Sequence, residues 1–362
     1  SVGMETTAAF TGFRCTDCGT HADVDATRCP DCGGHLDATY DHGEIVVARE
    51  HLEPGTSAGI AAYEELLPID GDRLVTAGEA GTPLLSCPGL AEDLGVGAVY
   101  VKDEGASTTG AALDRGMALA VTAAREHGAT DVALPSMGNG GQAAAAYAAR
   151  AGLDSHSFVP SRTPFVNKAM VNVHGGDMSV VGGRFADAAD AFRDAMTEED
   201  WHSVAPFTNP YRHEGMKTLA YEIAAQLDWE TPDAVVHPTG HGAGIVGLGK
   251  GFDELDRHDL LADDTRLYAA QAAGCAPYAT AWEDGDDGPN PVDHPDTIVG
   301  PLEIPDPAGG ERVIDTLEAT DGAAVATGDQ GILEGAVSLA EAGVTMGASG
   351  GAAFSGAQAL AD

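Results

Sequence analysis

Apolar and polar positions along this chain repeat at two periods, and the periods change places many times. Val99, Tyr100 and Val101 form a short apolar run that reads as a strand, ended by Lys102, Asp103 and Glu104. Gly105 and Gly110 let the next loop turn sharply, and Leu113, Met117, Leu119 to Val121 and Ala124 give the segment after it a helical apolar face. The same order of strand, glycine turn and helix recurs in DVALPSMGNGGQAAAAYAARAG, residues 131–152, and in DAVVHPTGHGAGIVGLGKGFDEL, residues 233–255. Residues 210–227 read as one amphipathic helix with Leu219, Ile223 and Leu227 on a single face. Further strands fall at SFV from 157, MSVV from 178 and RLYAAQ from 266, with helices from about 163 and about 184 and over 329–343. GVTMGASGGAAFSGAQAL then predicts a last strand and helix, while EDGDDGPNPVDHPD, residues 283–296, is an acidic Pro/Gly loop. This alternation predicts an α/β fold with parallel sheets covered by helices on both faces. A strand that runs through a glycine loop into a helix leaves unpaired amides pointing outward, a cradle for phosphate or carboxylate. The first dozen residues carry no period and read as a tail.

Length and charge narrow the class. The 362 residues are enough for two domains around separate cores, and 43% hydrophobic content without a long apolar run predicts a globular protein in water. No signal peptide or membrane-spanning stretch is visible, so the expected location is the cytoplasm and no membrane partner is expected. The formal charge of −39, from 57 acidic against 18 basic residues, disfavours nucleic acid, whose phosphates such a surface repels. Disorder does not follow, because acidic residues are interspersed with apolar periodicity along most of the chain. A folded chain with this much self-repulsion needs screening, and at molar salt the Debye length falls to about 3 Å. The expectation is a salt-rich, halophilic cytoplasm.

Cys15, Cys18, Cys29 and Cys32 make two CxxC knuckles, followed by Gly19 and Gly33. That spacing suits a zinc ribbon, in which tight turns aim four thiolates at one tetrahedral ion. A pair of disulfides is the other reading of the same residues; without a secretion signal the metal reading is preferred. Cys87 and Cys275 lie outside the pattern and read as buried small hydrophobes. The 13 histidines show no HExxH or other metal spacing.

The stretch VYVKDEGASTTGAALDRG, residues 99–116, resembles the lysine segment of the threonine synthases, YVKDEGxNPTGSFKDRG, within the pyridoxal-phosphate enzymes of the tryptophan synthase β fold (fold type II). The resemblance runs from about residue 13 to about residue 360. It includes an N-terminal ribbon, as in archaeal-type threonine synthases, and AAYEELLPIDGDRLVTAGEAGTPLL, which resembles the segment ending in GEGGTPLL. It implies a two-domain parallel-sheet fold with an N-terminal zinc ribbon: a tail over 1–12, the ribbon over 13–40, and an α/β region over 41–362 whose smaller domain covers approximately 113–205. It also implies a homodimer.

The resemblance places Ala111, Ala112 and Leu113 where the family has Ser, Phe and the lysine that forms the Schiff base and shuttles protons. Leucine does neither. Asn139 matches the asparagine that hydrogen-bonds the cofactor's phenolic oxygen; a helix N-cap is its other reading. Met137, Gly140 and Gly141 stand where STGNTS would offer hydroxyls near a substrate carboxylate. Gly240, His241, Gly242, Ala243 and Gly244 resemble the GNGG phosphate loop, with His241 and Ala243 as departures. The lysines are Lys102, Lys168, Lys217 and Lys250; Lys102 is nearest in sequence to the lost amine and reads as a surface or loop charge.

The function expected from these residues is a catalytically silent threonine synthase-like homologue with no catalytic residue at 113. It holds structural zinc and an anion, an amino-acid-like molecule or non-covalent pyridoxal phosphate, or it engages a protein partner. The alternatives are an active pyridoxal-phosphate-dependent lyase or threonine synthase-type enzyme with altered chemistry, and a zinc-ribbon nucleic-acid binder that the charge disfavours.

Overall fold

The computed structural model describes residues 4–54 and 58–362. The chain divides into two compact units, one made of Ser1–Gly81 and Ser107–Glu222, the other of Thr82–Ala106 and Ile223–Asp362.

The first unit holds two sheets. Its N-terminal sheet is antiparallel, with Phe10–Cys15 between His21–Ala22 and Leu36–Tyr40, and Phe13 pairs with Ala22 on one side and Ala38 on the other. Residues 1–3 of the expected tail lie outside the described residues, while from Thr7 onward it joins the fold. Thr7 donates its hydroxyl to the Leu67 carbonyl at 2.6 Å, and Ala9 and Phe10 are buried. A bulge between Phe10 and Gly12 breaks the period there.

The second sheet is parallel, in the order Asp177–Val181, Asp154–Pro160, Asp131–Pro135, His202–Ser203. Helices Asp114–Glu126, Asn139–Ala151, Phe165–Val173 and Phe185–Glu198 connect or cover these strands. The alternation of strand and helix thus gives the parallel sheet that the apolar periods predicted.

Two helices depart from expectation. Asp114–Glu126 is buried from Asp114 to Ala124 on every face rather than along one stripe, and residues 210–227 form two helices, Tyr211–Met216 and Thr218–Gln226. The pair packs through glycine: a Cβ on Gly116 would stand 2.2 Å from the Arg212 carbonyl oxygen, and one on Gly215 2.4 Å from that of Arg115. Polar residues in this packing are matched to one another rather than to water. Arg115 donates Nη1 to Glu222 Oε2 at 2.6 Å and Nη2 to Oε1 at 3.0 Å, with both side chains wholly buried.

In the second unit, Leu84–Ser86 and Tyr100–Lys102 form an antiparallel pair, and Arg266–Ala272 is the centre of a parallel sheet between Ala234–Pro238 and Ala323–Thr327. Cys87, Leu90, Leu339, Val344 and Phe354 form a core beside Leu85, Val99 and Val101. Cys87 and Cys275 are both buried, as small hydrophobes. The strand expected after residue 343 does not form: Val344 enters the core in an extended turn, and Ala348–Ala361 follows directly as helix. No helix among the described residues is long and apolar enough to cross a membrane.

Candidate functional site

In the first unit, the loop entering helix Asp114–Glu126 is drawn around one carboxylate. Asp114 accepts hydrogen bonds from the Ser107 hydroxyl at 3.0 Å, the Thr109 amide at 2.7 Å and the Thr109 hydroxyl at 2.5 Å. Burial pushes the Asp114 pKa up, against these donors, which favour its charge. Leu113 stands immediately before the helix at φ −65° and ψ −10°, half-buried, and leaves the helix without a side-chain cap. An aliphatic side chain therefore stands at this helix entrance.

Upstream, Glu79 of GEAGTPLL is buried and accepts from the Tyr147 hydroxyl at 2.6 Å, the Ala77 amide at 2.9 Å and the Ile60 amide at 3.2 Å. Burial, and then the Glu79 charge, push the Tyr147 phenol far above its ordinary range, so it stays a donor.

Asn139 opens helix Asn139–Ala151, but the N-cap is Gly138, at φ 138°, so the N-cap reading of Asn139 does not hold. Ser136 Oγ instead receives the amides of Gly138 and Gly141, both at 2.9 Å. The Asn139 carboxamide is held from the side: Asn167 Nδ2 donates to Asn139 Oδ1 at 3.2 Å and to Gln142 Oε1 at 3.0 Å, and Gln142 Nε2 reaches the Thr109 carbonyl at 3.5 Å. Gln142 was findable in the sequence as the same-face neighbour three residues along a helix. Asn167 carries no local signal, because only the tertiary fold brings helix Phe165–Val173 against Gly138.

In the second unit, strand Ala234–Pro238 runs through Thr239 to Gly242 into helix Ala243–Arg257. Gly242 has φ 102°, and a Cβ there would lie 2.2 Å from Val313. A Cβ on Gly244 would lie 2.4 Å from the His237 ring. His241 fastens the loop: its Nδ1 accepts the Ala308 amide at 3.2 Å, and its carbonyl accepts the Gly309 amide at 2.9 Å and the Tyr278 hydroxyl at 3.3 Å. Burial drives the His237 pKa down to about 4, so the imidazole is neutral at neutral pH. The first turn of helix Ala243–Arg257 lacks intrahelical acceptors for its amides, and those donors fit an anionic oxygen such as a phosphate.

Lysine amines are engaged elsewhere. Within the second unit, Lys102 Nζ donates to the Thr82 carbonyl at 2.6 Å and Gln226 Oε1 at 2.8 Å, so it is a half-buried tether rather than the surface charge expected. In the first unit, Lys168 donates to the Ser161 carbonyl at 3.0 Å, while Lys217 is fully buried on Glu214 and lies 4.3 Å from the Tyr40 ring centroid.

The four N-terminal cysteines converge. Their sulfurs all lie within 4.8 Å of one another, with Cys15–Cys32 and Cys18–Cys29 at 3.5 Å and Cys18–Cys32 at 3.4 Å. All four are free, at separations well beyond an S–S bond of about 2.05 Å, so the disulfide reading does not hold in this structure. Cys18 is lowered to about 6, first by the Thr20 hydroxyl and amide. Cys32 is pushed up to about 12: the Gly34 amide favours its thiolate, but the sulfurs of Cys18 and Cys15 outweigh it. Four thiols competing for protons at this spacing are a donor set suited to a thiophilic cation.

Parallel α/β sheets whose strand-to-helix turns carry glycine loops define a class of cofactor- and anion-binding proteins. Within that class, the chain belongs to the pyridoxal-phosphate-dependent enzyme family, whose model matches residues 75–362. It is 33% identical to a threonine synthase of Methanocaldococcus jannaschii over 89% of this chain and 80% of that protein. It is also 33% identical to the threonine synthase of Methanosarcina acetivorans, over 90% and 81%. A fungal L-serine ammonia-lyase from Rhizomucor miehei shares the fold, with a TM-score of 0.68 and 20% identity across 77% of this chain and 86% of that one.

Proposed function

We propose that this chain is a threonine synthase-like protein that binds an anionic ligand, pyridoxal phosphate or a related amino-acid-like anion, without a covalent lysine bond and without turnover. One observation carries the reading: Leu113 occupies the helix entrance where the resemblance places the lysine, while Lys102, Lys168 and Lys217 are each committed to other partners. When bound, pyridoxal phosphate supplies an electron sink for amino-acid chemistry. This chain's share would be binding and orientation. In the second unit the amides around Gly240, His241, Gly242, Ala243 and Gly244 suit a phosphate, and in the first unit the Asn139 carboxamide suits a ring oxygen. No side chain at 113 can hold or move a proton, and loss of such acid–base work typically costs about 10²–10⁴-fold. Met137, Gly140 and Gly141 add no hydroxyl to a substrate carboxylate.

In the same reading Cys15, Cys18, Cys29 and Cys32 hold one structural zinc ion, since four thiolates leave no open position for chemistry. The acidic surface is that of a protein from a salt-rich cytoplasm.

Titration of the purified protein with pyridoxal phosphate, followed by borohydride and intact mass, tests the proposal. Saturable binding with no mass gain, and no phosphate release from O-phosphohomoserine, is the expected result. Leu113→Lys should acquire the mass at residue 113, still without full turnover. Borohydride fixing the cofactor on Lys102 or another lysine of the unaltered protein, with turnover, would establish the lyase-type reading instead.

A further inference from the structure

Three carboxamides in the first unit form a chain whose polarity is dictated from one end. The Thr109 carbonyl can only accept, so Gln142 must turn Nε2 toward it and Oε1 away. Oε1 then faces Asn167, which must answer with Nδ2; the same Nδ2 also reaches Asn139 Oδ1. Reversing all three amides would set Gln142 Oε1 against the Thr109 carbonyl, two acceptors face to face. With its oxygen turned to Asn167 Nδ2, Asn139 keeps both Nδ2 hydrogens, and among the described residues no hydrogen bond takes them. The seat of Asn167 is built into the backbone: a Cβ on Gly138 would stand 2.9 Å from its carboxamide.

We infer that Asn167 is a positioning residue that, through Gln142, fixes Asn139 as a donor, so that the ligand group opposite Asn139 must be an acceptor such as a phenolate or carboxylate oxygen. The inference rests on the proposal that Asn139 meets the ligand.

Asn167→Asp is nearly isosteric but, ionised, only accepts. It should pull Asn139 Nδ2 toward itself and turn the Asn139 oxygen to the ligand. Pyridoxal phosphate, titrated by fluorescence, should bind at least tenfold more weakly to Asn167→Asp and a few-fold more weakly to Asn167→Ala. In an Asn139→Ala background, Asn167→Asp should add less than a twofold change. An equal loss in that background would mean that the new charge merely repels the anion, and would overturn the inference. A second readout needs no ligand. The Asn139 side-chain NH₂ signals, assigned by their loss in Asn139→Ala, should exchange rapidly with water in the unaltered protein and become protected in Asn167→Asp; identical signals in both would also overturn it. If the unaltered protein does not bind pyridoxal phosphate, the functional proposal fails while the NH₂ signals still decide the positioning.

Discussion

Ala80 sits at φ 118° in the GEAG segment, a backbone conformation natural to glycine. An alanine there stores strain of about 1–3 kcal/mol, set against the roughly 0.5–1 kcal/mol that glycine costs by loosening the unfolded chain. Ala80→Gly should therefore raise unfolding stability by about 1 kcal/mol in urea titrations; a loss of stability would show that the segment is unstrained. The strain is invisible in the bare residue pattern, and only the likeness to GEGGTPLL marks position 80 as one that wants glycine. Leu113 is the opposite case. That it carries no amine is legible in the sequence, since no conformation gives an isobutyl group one. Lys102 lies between these cases: the residue was evident, but its tether to Thr82 and Gln226 depends on chain segments more than a hundred residues apart.

At the scale of elements, helix Tyr211–Met216 meets both the N-terminal sheet and helix Asp114–Glu126. The Tyr211 hydroxyl donates to the Val24 carbonyl at 2.8 Å, and His213 Nε2 lies 3.2 Å from Asp37 Oδ1. Gly215 closes on Arg115 from the other side. A sheet of three short strands has little core of its own, so a metal held by its cysteines should be felt as stability of the whole unit. We expect one zinc per chain, and chelation or Cys29→Ser should lower the melting temperature by several degrees. Full metal occupancy in Cys29→Ser, or a melt indifferent to chelator, would refute this.

The buried pair Arg115–Glu222 makes a sharper test. Glu222→Ala leaves the guanidinium without its carboxylate and should cost about 3–5 kcal/mol, whereas Arg115→Met combined with Glu222→Leu should recover much of that loss. Denaturant titration of the three variants decides it: a double variant no more stable than Glu222→Ala would mean that packing, not the unpaired charge, sets the cost. Periodicity could find these helices. It could not show that Arg212, Glu214, Lys217 and Glu222 face inward, because their partners come from elsewhere in the chain.

For the whole molecule, a formal charge of −39 is a term that no local contact reveals. Repulsion among surface carboxylates falls as the Debye length shrinks from about 10 Å at 0.1 M salt to about 3 Å at 1 M. The melting temperature should rise steeply with potassium chloride over that range, more than for a chain of balanced charge; equal melting temperatures in dilute and molar salt would remove the argument for a salt-rich cytoplasm. What the sequence determined by itself was whatever is local or additive: the alternation of strand and helix, the two cysteine knuckles, the glycine loops, the leucine at 113 and the net charge. Each follows from a period, a spacing or a sum. Only the tertiary structure decided which polar residues are buried together, that Asn139 is not a cap, that its carboxamide answers to Asn167 and Gln142, and that Val344 enters a core instead of a strand. Those outcomes depend on which surfaces exclude water when distant segments meet, and a linear pattern carries no distance between segments.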